Sequence, residues 1–416
     1  MNTDYLARLK TLDREIIDKL ESVNWDFGNR KIVDKDTMFP FNNRKYHTYP
    51  ATYIPEIPYT LIEILSKEGD VVMDPFGGIG TTLVQALIQN RVPISIDNNF
   101  IASKISKDFF TLFSPFVDLD KCMQSVNRIL NDYDSARDYL SLLANQRKEL
   151  HGWYEQNTLN ELAFIVLKYD QVNMSSGDEG LKALYHLCLS NILTTVCSQN
   201  GGWAYIADNV KPKDECLKHK HTIEKFKSSI LGCVRGVQEH KELLGGKVIN
   251  IYENECVENI INADILQVDL DYLKGKVNLV VTSPPYPKMI DYVKSQRLSY
   301  YIENRTFFDE LHCEIGARYR RNNRGNVEKY VTDMKICNKK IYESLVEGGY
   351  LCYVLPEFPK ETDRREAIEE VINDCYSLGF KEKYRTDRCI PGTQRSNNIK
   401  WASLKKELII VLEKSR

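Results

Sequence analysis

The sequence carries no metal-type cysteine pattern. None of its 11 cysteines forms a C-x-x-C pair, and no His/Cys spacing suits zinc. With no secretory leader in view, these thiols read as reduced core residues of a cytoplasmic protein, and no metal site is expected. No apolar run approaches the roughly 20 residues of a membrane span, so no membrane partner is expected. Net charge is also nearly missing, at −2. That removes a global attraction for nucleic acid but leaves room for a local basic face. There is no internal repeat or low-complexity segment, and no acid/lysine cluster of the kind a fused nuclease would need. What remains is a composition 43% hydrophobic and 27% charged over 416 residues. This is a globular chain long enough for two or three domains, or for one α/β domain with a large insertion.

The stretch around which the chain is organised runs Val277-Asn278-Leu279-Val280-Val281-Thr282-Ser283-Pro284-Pro285-Tyr286. A β-branched apolar run predicts a strand buried on both faces. The two prolines cannot continue it, because each lacks an N–H and fixes φ. The strand therefore stops where open α/β sheets place their chemistry, at its carboxyl end. Tyr286 is expected to present a flat aromatic face there. On this stretch alone, a tyrosine packed behind a proline-terminated strand reads equally well.

In chain order, Leu6, Leu9, Leu12, Ile16, Ile17 and Leu20 predict a packing helix over 4–21, and 58–66 reads as another. Residues 70–86 read as strand, glycine-rich turn and helix, with Asp74 closing the strand and Gly77, Gly78 and Gly80 in the turn. Glycines let the backbone turn sharply and approach a ligand, while the next helix offers free N–H groups. No Gly-Lys-Ser/Thr follows, so the turn is not a P-loop. A second strand, 93–97, ends in Asp97, placed for the ribose hydroxyls of a nucleotide-type cofactor.

From 101 to 257 helical periodicity dominates, over roughly 119–149, 158–170, 180–198 and 214–245. This predicts a helical insertion between flanking parts 1–100 and 258–416. Trp203 with Lys211 and Lys213 is one candidate phosphate-facing group; Arg318, Arg320, Arg321 and Arg324 form a second, and Arg395 sits in a third loop. A solvated helix face is the plainer reading of the lysines. Beyond the insertion, strands are expected at 260–266, 277–282, 350–355, 380–386 and 407–412, the last two able to form a hairpin, with helices at 328–346 and 361–377.

The pair Asp74-Pro75-Phe76-Gly77-Gly78-Ile79-Gly80-Thr81-Thr82 and Thr282-Ser283-Pro284-Pro285-Tyr286 resembles the amino-methylating DNA methyltransferases. Tyr49-Pro50-Ala51 is similar to the segment that precedes their cofactor loop and closes over the methionine end. The resemblance implies a Rossmann-like seven-stranded sheet with its last strand antiparallel. It implies S-adenosylmethionine bound by Tyr49, Pro50, Asp74, Pro75, Phe76, Gly77, Gly78, Gly80, Thr81, Thr82, Asp97, Asn98, Asp264 and Ser283, and catalysis by Ser283, Pro284, Pro285 and Tyr286. Double-stranded DNA would be the substrate, with a separately encoded restriction endonuclease as a functional counterpart. Serine at 283 tilts the resemblance toward N4 of cytosine. Alternatives are N6 of adenine, an RNA exocyclic amine, and a non-catalytic DNA-binding subunit. The cofactor loop precedes the catalytic motif here, the reverse of the commonest N4-cytosine order, so the insertion is the first candidate for reading DNA.

Overall fold

The computed structural model describes residues 3–27, 40–47, 49–50, 52–143, 147–199, 211–244, 252, 259–320, 322, 325–358, 362–390 and 406–415. Seven strands form one sheet: β1 Val71–Asp74, β2 Val92–Asp97, β3 Ile260–Asn262, β4 Val277–Thr282, β5 Leu345–Pro356, β6 Phe380–Cys389 and β7 Lys406–Lys414. Their order is β3-β2-β1-β4-β5-β7-β6. β1 to β5 run parallel, and β7 is antiparallel to both β5 and β6. This is the Rossmann-like methyltransferase arrangement.

Alternation along the central strands decides which face meets which helices. Val72, Leu279, Val281 and Cys352 pack with Ile57, Leu61 and Ile62 of α2 (Glu56–Leu65) and the end of α1 (Thr3–Ser22). Met73, Val280 and Leu351 point to the other face. There they meet helices Asn326–Ser344 and Thr362–Leu378.

Helix α3 (Thr81–Ile88) is buried at every position. Helix α4 (Phe100–Phe113), capped by Asn99 Oδ1 accepting from the Ile101 and Ala102 N–H groups, packs on β2 and β3. Beyond it come α5 (Leu119–Asn131), α6 (Gln156–Ser175), α7 (Glu179–Val196) and α8 (Thr222–Leu244). One apolar cluster runs from Leu83 and Val84 of α3 through Phe109 to Leu162, Leu184 and Phe226. The inserted helices thus share a core with the sheet domain. No helix among the described residues is long and apolar enough to cross a membrane.

Several boundaries differ from the sequence reading; β5, for one, begins at Leu345 rather than 350, and three others have a visible local cause. The helix expected over 119–149 stops at Asn131; Asp134 then turns the chain, and Asn160 Oδ1 accepts the Tyr139 and Leu140 N–H groups. The strand expected over 260–266 ends at Asn262, because Asp264 accepts the Leu266 N–H on its side chain and makes a turn. The last inserted helix begins at Thr222 rather than 214, after a single 3-10 turn at Asp214–Cys216.

Leu184 is fully buried, so Leu184→Ala should cost about 2–5 kcal/mol. Because its cluster is continuous with α3, calorimetry should show one transition lowered as a whole. Two transitions with only one displaced would mean that the helices fold as a separate unit.

Candidate active site

The strand order reverses between β1 and β4, and a crevice opens outside their carboxyl ends. Asp74 sits at that point, 2% exposed. Its Oδ1 accepts the Phe76 N–H (3.0 Å) and the Thr282 hydroxyl (2.6 Å), and its Oδ2 accepts the Thr82 hydroxyl (2.6 Å). Tyr53 bonds Thr82 in turn. One carboxyl therefore ties β1, the glycine turn, α3 and β4 together. Burial pushes it up to about 6 against the pull of these hydrogen bonds.

The glycine turn is shaped by close approach. Gly77 donates its N–H to the Ile96 carbonyl (2.9 Å), and a Cβ on it would lie 1.9 Å from Ser95 Oγ. Gly78, at φ +52°, donates its N–H to Asp97 Oδ2 (2.8 Å). The Asn99 N–H holds Asp97 Oδ1 (2.8 Å). Burial nevertheless raises the Asp97 carboxyl to about 6.

A cleft open to solvent lies over this turn, a concave place of the kind where small molecules bind. Tyr49 and Pro50 form one side, Pro75 to Gly78 and Thr81 the floor, and Asp97, Asn98 and Asp264 the far end; Ser283 and Pro285 close it toward β4. Asp74, Gly80 and Thr82 do not line it. Asp74 and Thr82 are spent on the clip behind the floor, and Gly80 starts α3 with φ +79°. Several wall residues carried no sequence signal: Tyr53, Tyr292, Cys313, Glu314 and Ile315. Tyr292 stacks on Tyr49, with centroids 6.3 Å apart. Glu314 accepts the Val293 N–H and is pushed up to about 8, mainly by burial. Tyr53 comes from the loop before α2, and the other four from the stretch after the Pro-Pro motif, where neither periodicity nor a motif marks them.

Tyr286 does not present the open aromatic face expected of it. It is 5% exposed, outside the cleft wall, as is Pro284. The Ser283 hydroxyl donates to Tyr286 Oη (3.1 Å), which donates to Glu407 Oε1 on β7 (3.3 Å). Arg388 on β6 pairs with Glu407 Oε2 at 3.5 Å. The packed-tyrosine alternative describes this ring better.

Among the described residues, the basic candidates are engaged in local contacts. Lys211 donates to the His151 carbonyl (2.6 Å), and Lys213 is exposed with Glu215 at 3.7 Å. Arg320 donates to Tyr319 Oη and the His312 carbonyl, and Arg318 sits in the same 3-10 turn. Trp203, Arg321, Arg324 and Arg395 lie outside the described residues. Tertiary folding also gathers Glu161, His219 and His221 with ligand-type atoms within 4.8 Å. Glu161 is already occupied there, accepting from His219 (2.8 Å) and from the Ile223 N–H (3.0 Å), as a clasp on the start of α8.

Gly77→Ala should lower the melting temperature and weaken any ligand of the cleft. Ser95→Gly should restore much of both, since it removes the atom at 1.9 Å and the Ser95 Cβ at 3.1 Å. No rescue in the double variant would place the glycine's role elsewhere. Asp74 and Asp97 are raised to about 6 and Glu314 to about 8, against about 4 for carboxyls in an unfolded chain. Between those values the folded chain holds more protons, so this stability is present at low pH and lost as pH rises. Ligand-free protein should therefore melt higher at pH 6 than at pH 8; the reverse order would show that these carboxyls ionise without cost.

Residues 19–108 match the family model described as DNA methylase. Over 389 aligned residues the chain is 22% identical to the type II methyltransferase M.MjaII of Methanocaldococcus jannaschii, covering 74% of this chain and 70% of that protein. It is 22% identical to M.BsoBI of Geobacillus stearothermophilus, covering 76% and 67%. It is 31% identical to M.MvaI of Kocuria varians over 117 residues, 26% of this chain and 24% of that protein. Sheet order, the two motifs meeting at one crevice, and these matches make the chain similar to the amino-methylating DNA methyltransferases.

Proposed function

We propose that the protein is an S-adenosylmethionine-dependent, site-specific DNA methyltransferase that modifies the N4 amine of a flipped cytosine, as the modification half of a restriction–modification system. The observation that carries this is the shared cleft: the glycine turn and Ser283 line one cavity, so a cofactor on the turn and an amine at Ser283 would be neighbours. That the similar proteins are type II methyltransferases supports the methyltransferase part of this reading.

The chain's residues suit the cofactor. Asp97 offers oxygens for ribose hydroxyls, Asp264 lies where an adenine amine would be met, and Tyr49-Pro50 covers the opposite side. When bound, the cofactor supplies an electrophilic methyl group. An exocyclic amine is a poor nucleophile because its lone pair is delocalised into the ring. Ser283 is arranged to accept rather than donate. Its own proton goes to Tyr286, whose proton goes to Glu407, which leaves the Ser283 lone pairs for an amine N–H. Holding an amine hydrogen at Ser283 would favour localising the nitrogen lone pair. Base flipping would bring the amine to this point, with the inserted helices and the Arg318–Arg320 turn as the DNA-facing candidates.

Nucleosides from DNA incubated with protein and cofactor should contain N4-methylcytosine by mass spectrometry. N6-methyladenine instead would keep the fold and chemistry and refute the serine argument. Methylation of neither base would refute the DNA reading. Ser283→Ala and Glu407→Gln should each lower kcat by about 10²-fold or more, the scale of losing one oriented polar contact in a transition state, with cofactor affinity little changed. Full activity in Glu407→Gln would show that the proton relay has no part in orienting Ser283.

A further inference from the structure

The cleft wall holds three carboxyl groups, Asp97, Asp264 and Glu314, and no basic side chain among the described residues. Each Asp97 oxygen already accepts one backbone N–H and keeps a lone pair for a further donor. Glu314 differs. It is 6% exposed, its Oε1 accepts the Val293 N–H, and its Oε2 is buried with no hydrogen-bond partner among the described residues. A buried carboxylate oxygen without a donor is costly. Glu314 faces acids, Asp291 on its own side and Asp97 across the cleft, while Lys294 is the opposing cation; Tyr49 and Tyr292 complete its surroundings. The ionised form of Glu314 is therefore disfavoured in the empty cleft and is stabilised by a ligand that brings positive charge.

We infer that Glu314 is the charge by which the cleft distinguishes the cationic methyl donor from its demethylated product. The inference rests on the S-adenosylmethionine reading above. In the reaction the amine nitrogen bonds to the methyl carbon, the carbon–sulfur electron pair returns to sulfur, and the amine loses a proton. The sulfonium becomes a neutral thioether. Glu314 then loses the charge that compensated it, and the product is held less tightly than the donor. A device of this kind favours exchange of spent cofactor without a moving lid.

Calorimetric titration of the full chain with S-adenosylmethionine and S-adenosylhomocysteine tests this. Wild type should bind the donor more tightly. Glu314→Gln keeps an acceptor for the Val293 N–H and should weaken the donor about tenfold, the equivalent of one compensated charge pair at about 1.4 kcal/mol. It should leave the product within about twofold, and Glu314→Asp, which keeps the charge, should keep the preference. Equal weakening of both ligands, or of neither, overturns the inference while leaving the function reading intact; wild type binding neither ligand overturns both. Should Glu314→Gln fail to fold, titration of wild type at pH 7 in two buffers of different ionisation enthalpy decides. A carboxyl near 8 is mostly protonated there, so the cation should expel a proton and the neutral product should not. Equal proton release by the two ligands overturns the inference.

Discussion

One buried carboxyl holds the site in register. Asp74 terminates β1, and its two oxygens take the hydroxyls of Thr82 and Thr282 and the N–H of Phe76. Thr282 is the residue before Ser283, and Thr82 lies in the first turn of the helix that follows the glycine turn. The distance between the cofactor floor and the Pro-Pro loop is thus set by hydrogen bonds of 2.6 Å across one side chain. Burying that carboxyl disfavours its charged form. The three donors offset part of the cost, as they must for a polar group with no water contact. An apolar residue could pack the same space but could not fix both threonines.

Around this point the cleft is built from acids, glycines and aromatic rings. Its carboxyls are raised by burial and by one another rather than paired with bases. Their ionised forms are therefore disfavoured when the site is empty, and a cationic occupant stabilises them. The same logic appears in the relay from Ser283 to Glu407. There a buried acid beside Arg388 orders two hydroxyl protons in one direction. In both places a carboxyl acts through its neighbours.

The inserted helices share one apolar core with the sheet domain. Their apolar faces meet α3 and α4 without a break, from Leu83 to Phe226. The outer surface of these helices is in this way held in fixed relation to the cleft.

Much of this was legible in the chain. The buried β-branched run 277–282, the turn glycines and the two strand-end aspartates are local patterns with local causes: side-chain periodicity, φ freedom and proline's missing N–H. They sufficed for the strands, for the crevice at the ends of β1 and β4, and for most of the cleft floor. They could not reveal that Asp74 faces the protein, because that depends on Thr282, distant in sequence and brought close by the sheet. Nor could they show Tyr286 buried against Glu407, or Glu314 in the wall, since neither acid has a neighbour in sequence that hints at its contact. Local conformational preference is written in short stretches of sequence. Which polar atom meets which, and whether a charge is compensated, is decided only when strands separated by hundreds of residues pack side by side.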